Sequence, residues 1–369
     1  MKIMLVFLII FTAIFCSGCW DARQLRDLTV LKSVGVDLTE DDKIELTVSS
    51  PISEKHRTAA RSQIFSTIGD TPRNARINLE SEVSESIDAS KLRAVLINEE
   101  IAKEDIYPPL DVFYRDPRSA LAAKLLISKV NAKEIVQLTP EDRERTSEIL
   151  GDIIQAAENQ TMVPITNIQL ICPDLFDLGK DAVIPYVTIK EDAPKLVGVA
   201  LFNNLKMTGT LSLKESSALL LMQNQLNKKA SLTEQVHSDE DIQMENFISF
   251  NIEEVKRDME VIVNKHTGTV DVPLNLQIEV NVLEYPLDDL DTQEKLNALN
   301  DKLSARLTEQ FGNVINKLQE SNCDALGIGR RVHAFEYSFW KEHDWQEIYP
   351  KVNFQISVEV EIVRHGILF

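Results

Sequence analysis

Alternating apolar and polar residues predict two long strands in the last third of the chain. Apolar side chains occupy every second position from Val270 to Val282, and the positions between them are mostly polar. The same alternation runs from Val352 to Ile362. This period of two is typical of a strand with one buried face. Pro273 lies inside the first strand and favours an edge position or a bulge, because proline cannot donate to a ladder.

A helical pattern separates these two strands. Apolar residues from Leu290 to Leu318 recur mostly at steps of three and four, which predicts an amphipathic helix about 45 Å long. The simplest arrangement is an antiparallel sheet with this helix across its buried face. We assign residues 241–369 to a C-terminal domain of this kind.

Strand and helix patterns alternate in the first half of the chain. The predicted strands are 30–36, 44–48, 63–68, 92–97 and 183–189, and the predicted helices are 72–87, 99–114, 118–135 and 140–158. Thr71 and Thr139 are each followed by proline, the order expected where a helix begins. We therefore predict an N-terminal α/β domain over residues 19–190.

A shorter unit follows this domain. Its predicted elements are strands at 196–202 and 207–211, a helix from Ser212 to about Lys228 and a polar loop at 229–245. The spacing of Ser212 and Glu215 forms a capping box where that helix begins. We assign residues 191–240 to a small middle domain with a linker. The predicted fold class is α+β (mixed α/β), in three domains.

The first residues have the pattern of a bacterial lipoprotein leader. An apolar run from Ile3 to Phe15 is followed by Ser17-Gly18 and then by Cys19. This run of 13 residues is shorter than the ~20 that a membrane-spanning helix needs. We predict a signal peptide over residues 1–18 that is cleaved before Cys19. The Cys19 thiol is the predicted attachment site of a diacylglycerol.

The residues after Cys19 are candidates for contacts near the membrane. Trp20 would follow the acylated residue directly, and indole rings are enriched at the level of lipid headgroups. Trp20, Asp21 and Arg23 are therefore possible interface or membrane-proximal residues. A flexible tether is the alternative interpretation of this segment.

The charge of the chain excludes some classes of partner. The net charge is −19, and because Lys2 is the only charged residue in 1–18, the remainder carries −20. Nucleic acids require clusters of lysine and arginine, and anionic lipids repel an acidic surface. Membrane attachment would then depend on the acyl chains.

No motif in the sequence predicts an enzyme, a cofactor or a metal site. Gly327-Ile328-Gly329 lacks the third glycine of a phosphate loop and follows a helical pattern, so it indicates a glycine-terminated helix and turn. Asp288, Asp289 and Asp291 lack the glycine of a calcium loop and are interpreted as helix-capping residues.

The cysteines outside the leader segment do not form a disulfide framework. Cys172 and Cys323 are 151 positions apart, and we expect two separate buried thiols, with a single bridge between domains as the alternative.

Several short segments match one known pattern. They are Cys19-Trp20-Asp21-x-Arg23-x-Leu25, Leu92-Arg93-Ala94-Val95-Leu96-Ile97, Gly198-Val199-Ala200-Leu201-Phe202, Lys206-Met207-x-Gly209-x-Leu211, Cys323-Asp324-Ala325-Leu326-Gly327-Ile328-Gly329, the pair Trp340 and Trp345, and Gly366. Their order and spacing resemble the Ger(x)C family, the lipoprotein C subunits of bacterial spore germination receptors. Gln24 departs from the family's usual glutamate, and Cys16 from its usual aliphatic residue.

The resemblance implies a three-domain, mixed α/β, non-catalytic lipoprotein at the outer face of the spore inner (cytoplasmic) membrane. It implies two integral membrane partners, an A-type and a B-type receptor subunit, and a role in nutrient-triggered germination. The alternative is a solute-binding lipoprotein of a transport system, which would need two lobes around a cleft. A lipid-anchored hydrolase is disfavoured, because no nucleophile or metal spacing is present.

Overall fold

The computed structural model describes residues 28–52, 62–138, 145–237, 244–287, 290 and 292–365. The predictions made for the leader, for residues 19–25, for the helix start at 139–140, for the three capping aspartates and for Gly366 lie outside these residues. Within them, no helix is long and apolar enough to cross a membrane.

An eight-stranded mixed sheet forms the first half of the molecule. In chain order its strands are β2 (Ser33–Leu38), β3 (Ile44–Pro51), β4 (Ser62–Gly69), β6 (Ala94–Asn98), β7 (Lys124–Ser128), β8 (Val183–Lys190), β9 (Ala193–Asn203) and β10 (Lys206–Ser212). The spatial order is β10-β9-β8-β7-β6-β2-β3-β4. The central pairs β2-β6, β6-β7 and β7-β8 are parallel, and the pairs towards both edges are antiparallel. Two short strands, β1 (Leu28–Val30) and β5 (Ser86–Asp88), pair in parallel beside it.

Helices cover both faces of this sheet. They are α1 (Pro72–Glu80), α2 (Glu99–Glu104), α3 (Tyr107–Arg115), α4 (Ala132–Gln137), α5 (Thr146–Asn159), α6 (Ile168–Leu175) and α7 (Leu213–Met222). Alternate residues of β6 enter different cores, since Leu96 packs with residues of α4 and α5 whereas Ile97 packs with residues of α1 to α3. A strand that is buried on both faces has a continuous run of apolar residues in its sequence, as β6 does.

The structure corrects several predicted helices. The predicted helix 118–135 is wrong, because this segment contains β7 and then begins α4. The predicted helix 99–114 is two helices, α2 and α3, and α1 ends at Glu80 instead of near residue 87. The capping box at Ser212 is confirmed, but α7 ends at Met222, and part of the predicted loop 229–245 forms β11 (Ala230–Gln235).

A second sheet and the long helix form the rest of the molecule. Besides β11 the sheet contains β12 (Phe247–Met259), β13 (Ile262–Asn264), β14 (Thr269–Glu284) and β15 (Asn353–Arg364), and the helix is α8 (Gln293–Glu320). The two alternating segments are strands as predicted, but β15 pairs in parallel with β14, so the prediction of an antiparallel sheet is wrong at this pair. The edge position suggested by Pro273 is also wrong, since β14 has β12 on one side and β15 on the other.

The predicted domain boundary between residues 190 and 191 falls between two paired strands. β8 ends at Lys190 and pairs in antiparallel with β9, which begins at Ala193. The first sheet therefore takes strands from both sides of this boundary, and the division into three domains stays a prediction.

Three short helices follow the long one and connect it to β15. They are α9 (Ile328–Phe335), α10 (Tyr337–Glu342) and α11 (Trp345–Ile348). One hydrophobic core runs from the first sheet through α5 and α7 to α8 and the second sheet, and it includes Leu96, Leu219, Leu307 and Leu276. Both halves therefore share one apolar interior.

Candidate functional site

Two buried aspartates join the halves of the molecule. Asp181 lies just before β8 and is 7% exposed, and Asp324 lies between α8 and α9 and is 1% exposed. The Asp324 N–H donates to Oδ2 of Asp181 at 2.8 Å, and the Asp181 N–H donates to the Asp324 carbonyl at 3.1 Å. Asn204 N–H donates to Oδ1 of Asp181 at 2.7 Å. We call these two aspartates and the groups that donate to them the aspartate junction.

The Asp324 carboxylate caps the start of α9. The N–H of Ile328 donates to Oδ1 at 2.9 Å, and the N–H of Gly329 donates to Oδ2 at 2.7 Å. Backbone N–H groups in the first turn of a helix have no partner within the helix, and an anion there also interacts favourably with the helix dipole. A carboxyl group of the chain itself therefore occupies the amides that a phosphate loop would offer to a ligand.

The prediction that a glycine terminates the long helix is wrong. Gly327 has φ of +70° and directly precedes α9, so it begins the next helix. The long helix α8 ends at Glu320, and Asn322, with φ of +47°, adopts the left-handed conformation beyond it. Asparagine is the residue that replaces glycine most often in this role.

Burial controls the ionisation of the junction. It raises the pKa of Asp324 to about 7, although the N–H donors from Gly329, Ile328 and Trp345 favour the charged form. Burial also raises the pKa of Asp181, against two backbone N–H donors. The pKa of the neighbouring Cys323 thiol is raised for the same reason. Cys323 is a buried free thiol and Cys172 a partly buried one, so the two are separate as expected.

An aromatic cluster centred on Trp345 lies beside the Asp324 carboxylate. Trp345 is buried and its Nε1–H donates to Oδ2 of Asp324 at 3.1 Å. Its ring packs against Trp340 and Tyr349, with centroids 5.7 and 6.1 Å away. The Tyr349 hydroxyl donates to the Cys323 carbonyl at 2.9 Å. Both tryptophans thus pack within the protein, and one of them also holds the junction.

Two glycines allow the close approach of the segments around the junction. A Cβ at Gly329 would lie 2.4 Å from Nε1 of Trp345, and one at Gly179 would lie 2.2 Å from the backbone nitrogen of Arg330. The Arg330 N–H donates to the Gly179 carbonyl at 2.7 Å. Glycine is required at both positions because any side chain would push these contacts apart.

Ion pairs at the surface reinforce the same contact between halves. The Arg330 guanidinium lies 2.6 Å from Oδ2 of Asp177. Although burial opposes it, hydrogen bonds from Arg330 and from the Gly179 N–H lower the pKa of Asp177. Arg330 and Asp177 therefore stay oppositely charged at neutral pH, which fixes the outer rim of the junction.

The junction can position the two halves relative to one another. Its polar groups bond mainly to one another, so the geometry favours rigid coupling over chemistry on a substrate. The residues predicted from the sequence as site residues, Cys19, Trp20, Asp21 and Arg23, lie outside the described residues. The sequence analysis does not identify Asp181 as a site residue. The one feature that could have indicated it is the position of an acidic residue directly before the apolar run at 182–187.

Family models match both halves of this molecule. The spore germination protein N-terminal domain matches residues 21–189, and the spore germination B3/GerAC-like C-terminal model matches residues 197–366. The chain belongs to the Ger(x)C family of spore germination proteins. The Asp324 segment and the 198–211 region, both quoted above for their resemblance, lie within the second match.

Curated relatives of this family resemble the chain along its whole length. Spore germination protein GerQC of Bacillus cereus is 19% identical, over 100% of this chain and 99% of its own length. Spore germination protein KC of Bacillus subtilis (strain 168) is 22% identical, over 99% of this chain and 96% of its own. The structure is similar to the crystal structure of the GerBC protein, with a TM-score of 0.56 and 16% identity, over 89% of this chain and 96% of that one. This likeness confirms the mixed α/β fold class.

Proposed function

We propose that this chain is the lipid-anchored, non-catalytic C subunit of a spore germination nutrient receptor. It assembles with A-type and B-type integral subunits at the outer face of the spore inner membrane and is needed for the receptor to trigger germination. The observation that carries this proposal is the match of both family models, in order, over residues 21–189 and 197–366. The names of GerQC and KC as spore germination proteins support it.

The mechanism we propose is assembly on the membrane surface. Acyl chains on Cys19 keep the acidic body beside the integral subunits, which raises its effective concentration there. The aspartate junction holds the two halves in one orientation, so a partner contacting both halves meets a preformed surface. A preformed surface lowers the entropic cost of binding.

The anchor is tested by replacing its thiol. We expect Cys19→Ala to move the protein from the spore membrane fraction to the soluble fraction and to slow nutrient-triggered germination, because no lipid can be attached. Cys16→Ala is the matched control, since this cysteine leaves with the signal peptide. Complete membrane retention of Cys19→Ala, together with unaltered germination, would refute the anchor.

The partners are tested by purification from spore membranes. An affinity tag on the C-terminus, detergent extraction and mass spectrometry should recover an A-type and a B-type integral protein with the chain. Recovery of the chain in good yield without either of them would contradict the proposed assembly.

A further inference from the structure

A surface groove lies between the start of α1 and helix α3 with the residues that follow it. Its volume is about 580 Å³. Three arginines and three prolines contribute to its lining: Arg73, Arg115, Arg118, Pro72, Pro108 and Pro117. The side chains of all three arginines are more than half exposed, so a partner can reach them. We call this feature the arginine groove.

The carboxylates of the groove leave most of the arginine N–H donors available. Nη1 of Arg73 donates to Oδ2 of Asp116 only at 3.4 Å. Nε of Arg118 lies 3.8 Å from Oδ1 of Asp116, which is too far for a hydrogen bond. Arg115 donates from its Nε to Asp111 at 2.8 Å. A guanidinium has five N–H donors in a planar fork, so all three side chains can bind a further anion.

The arginines outnumber the acidic residues with which they pair. Nη1 of Arg76 lies 3.6 Å from the same Oδ2 of Asp116, so three guanidinium groups share this one carboxylate. Arg76 also pairs with Glu80, and the cluster then contains four arginines against Asp111, Asp116 and Glu80. The groove is therefore locally positive in a chain of net charge −19. Guanidinium forks suit carboxylates, which they bind with two parallel hydrogen bonds.

An exposed apolar patch adjoins the groove. Phe176 and Leu178 follow α6, and both are more than half exposed. The Phe176 ring meets the ring of Tyr107 edge-on, with centroids 5.2 Å apart. The Tyr107 hydroxyl donates at 2.7 Å to Asp111, which lines the groove. Exposed aromatic rings beside arginines are typical of protein–protein interfaces, where both residue types are enriched.

The acidic residues around the groove favour a polypeptide over a membrane as its occupant. Nη2 of Arg76 donates to the Ile87 carbonyl in β5 at 3.0 Å, and the chain just before Ile87 carries the exposed acids Glu82 and Glu85. A flat anionic membrane would meet these acids together with the arginines and be repelled by them. A single protruding segment can enter the groove without meeting them.

We propose that the arginine groove and the adjoining apolar patch bind an acidic segment of an integral receptor subunit, on the outer side of the membrane. Carboxylates of this segment accept hydrogen bonds from Arg73, Arg115 and Arg118, and one of its apolar side chains packs against Phe176. The inference rests on the proposed function, and it adds the surface and the chemistry by which a partner is recognised.

Co-purification from spore membranes is the first test. We expect Arg73→Glu combined with Arg118→Glu to lower the recovery of the integral subunits at least about 10-fold, because carboxylates would then face carboxylates. Lys341→Glu combined with Lys351→Glu, at exposed positions of the second half, is the matched control and should recover them like the natural chain. Arg118→Ala combined with Phe176→Ala adds no negative charge. It should lower the recovery several-fold and keep the midpoint of urea unfolding, because both side chains are more than half exposed.

The outcomes separate this inference from the proposed function. If the natural chain recovers no integral subunit, the proposed function fails and the inference fails with it. If the natural chain recovers them and both groove variants do so equally well, the inference alone is refuted.

A photo-crosslinking residue identifies what occupies the groove. With p-benzoylphenylalanine in place of Arg118, irradiated spores should give a cross-link to a peptide of an integral subunit that contains aspartate or glutamate. The same replacement of Lys351 should give none. A cross-link only to a second copy of this chain, or no cross-link, would overturn the proposal. Binding of the Cys19→Ala chain to phosphatidylglycerol vesicles, if Arg73→Glu with Arg118→Glu abolished it, would also overturn the proposal, because lipid headgroups would then be the occupant.

Discussion

Asp181 and Asp324 are buried at positions where proteins usually place apolar side chains. The cost of burying them is offset by N–H donors, which reach Asp181 from across the junction and reach Asp324 from α9 and Trp345. Removing one partner of such a set leaves the other group buried without a bond. The residues of this junction should therefore tolerate substitution poorly.

The ionisation of Asp324 predicts how stability depends on pH. Its pKa is about 7 in the folded chain, against an ordinary value of 3.8. Between these values the folded state holds a proton that the unfolded state has lost, so the free energy of unfolding falls as the pH rises through this range. From pH 5 to pH 8 the natural chain should lose roughly 2–3 kcal/mol more than Asp324→Asn, whose side chain does not titrate.

Urea unfolding at the two pH values measures this difference. The slope with pH is the readout, because Asp324→Asn also alters hydrogen bonds and should be less stable throughout. Asp301→Asn, at an exposed position of α8, is the matched control and should keep the slope of the natural chain. Identical slopes in the natural chain and Asp324→Asn would contradict the assignment.

Two glycine substitutions test the close packing around Trp345. Gly329→Ala should destabilise the chain by about 1–3 kcal/mol, because its Cβ would overlap the indole ring. Gly312→Ala lies inside α8, where a Cβ meets nothing within 4 Å. It should stabilise the chain by about 0.5–1 kcal/mol, through the higher helix propensity of alanine. Chemical denaturation of both variants gives the comparison, and equal effects would argue against the overlap.

At the scale of elements, helix α8 protects the free edge of β15. The N–H groups of Val358, Val360 and Ile362 donate to side chains of Thr308, Ser304 and Asn300, at 3.1, 2.9 and 3.0 Å. Four residues of a helix rise about 6 Å and two residues of a strand about 6.6 Å, so the two elements stay in register over three bonds. At these three positions the edge strand has no free N–H group to offer to another chain.

This register gives a prediction for the edge of the sheet. Ser304→Ala should destabilise the chain by about 1–2 kcal/mol, because the Val360 N–H loses its acceptor in a partly buried position. Asp301→Ala, on the exposed side of α8, should change stability by less than about 0.5 kcal/mol. Hydrogen exchange should become faster at Val360 in the first variant. Unchanged exchange there would show that the serine does not hold this edge.

The sequence predicts the long elements better than the short ones, for a physical reason. The segments 270–282 and 352–362 repeat the two-residue period of a strand often enough to exclude a helix, and they form β14 and β15. The segment 290–318 repeats the 3.6-residue period of a helix often enough to exclude a strand, and it forms α8. The segment 118–135 shows neither period clearly. The apolar run that forms β7 is buried on both faces, so it lacks the alternation that would have distinguished a strand from a helix. The parallel pairing of β15 could not be predicted, since alternation alone does not give strand direction.

The site was less accessible to sequence reasoning than the fold. Asp324 was noticed as part of a family-like segment, but nothing local indicates that its carboxylate binds the indole of Trp345. The bond between Asp324 and Asp181 joins positions 143 residues apart. Such contacts arise from tertiary packing, which a periodic pattern does not encode.

At the scale of the whole molecule, the two family models divide the chain between residues 189 and 197, but the structure has no domain boundary at this point. The second model begins at residue 197, inside β9, and β9 pairs with β8 along its length. One apolar core also extends from the first sheet to the second. The two halves should therefore depend on one another for folding.

A fragment of residues 197–369 tests this dependence. It keeps the second sheet and α8 but removes β8 and α5, so the backbone groups of β9 that face β8 lose their partners and α7 loses the part of the shared apolar core that α5 supplies. We expect the fragment to aggregate or to unfold without cooperativity, whereas the full-length chain unfolds in one transition followed by circular dichroism in urea. Asp181→Asn in the full-length chain should lower the midpoint, because the amide cannot accept both N–H groups that the carboxylate accepts. A soluble, cooperatively folding fragment would show instead that the C-terminal half is an independent domain, and the junction would then be a contact between separate units.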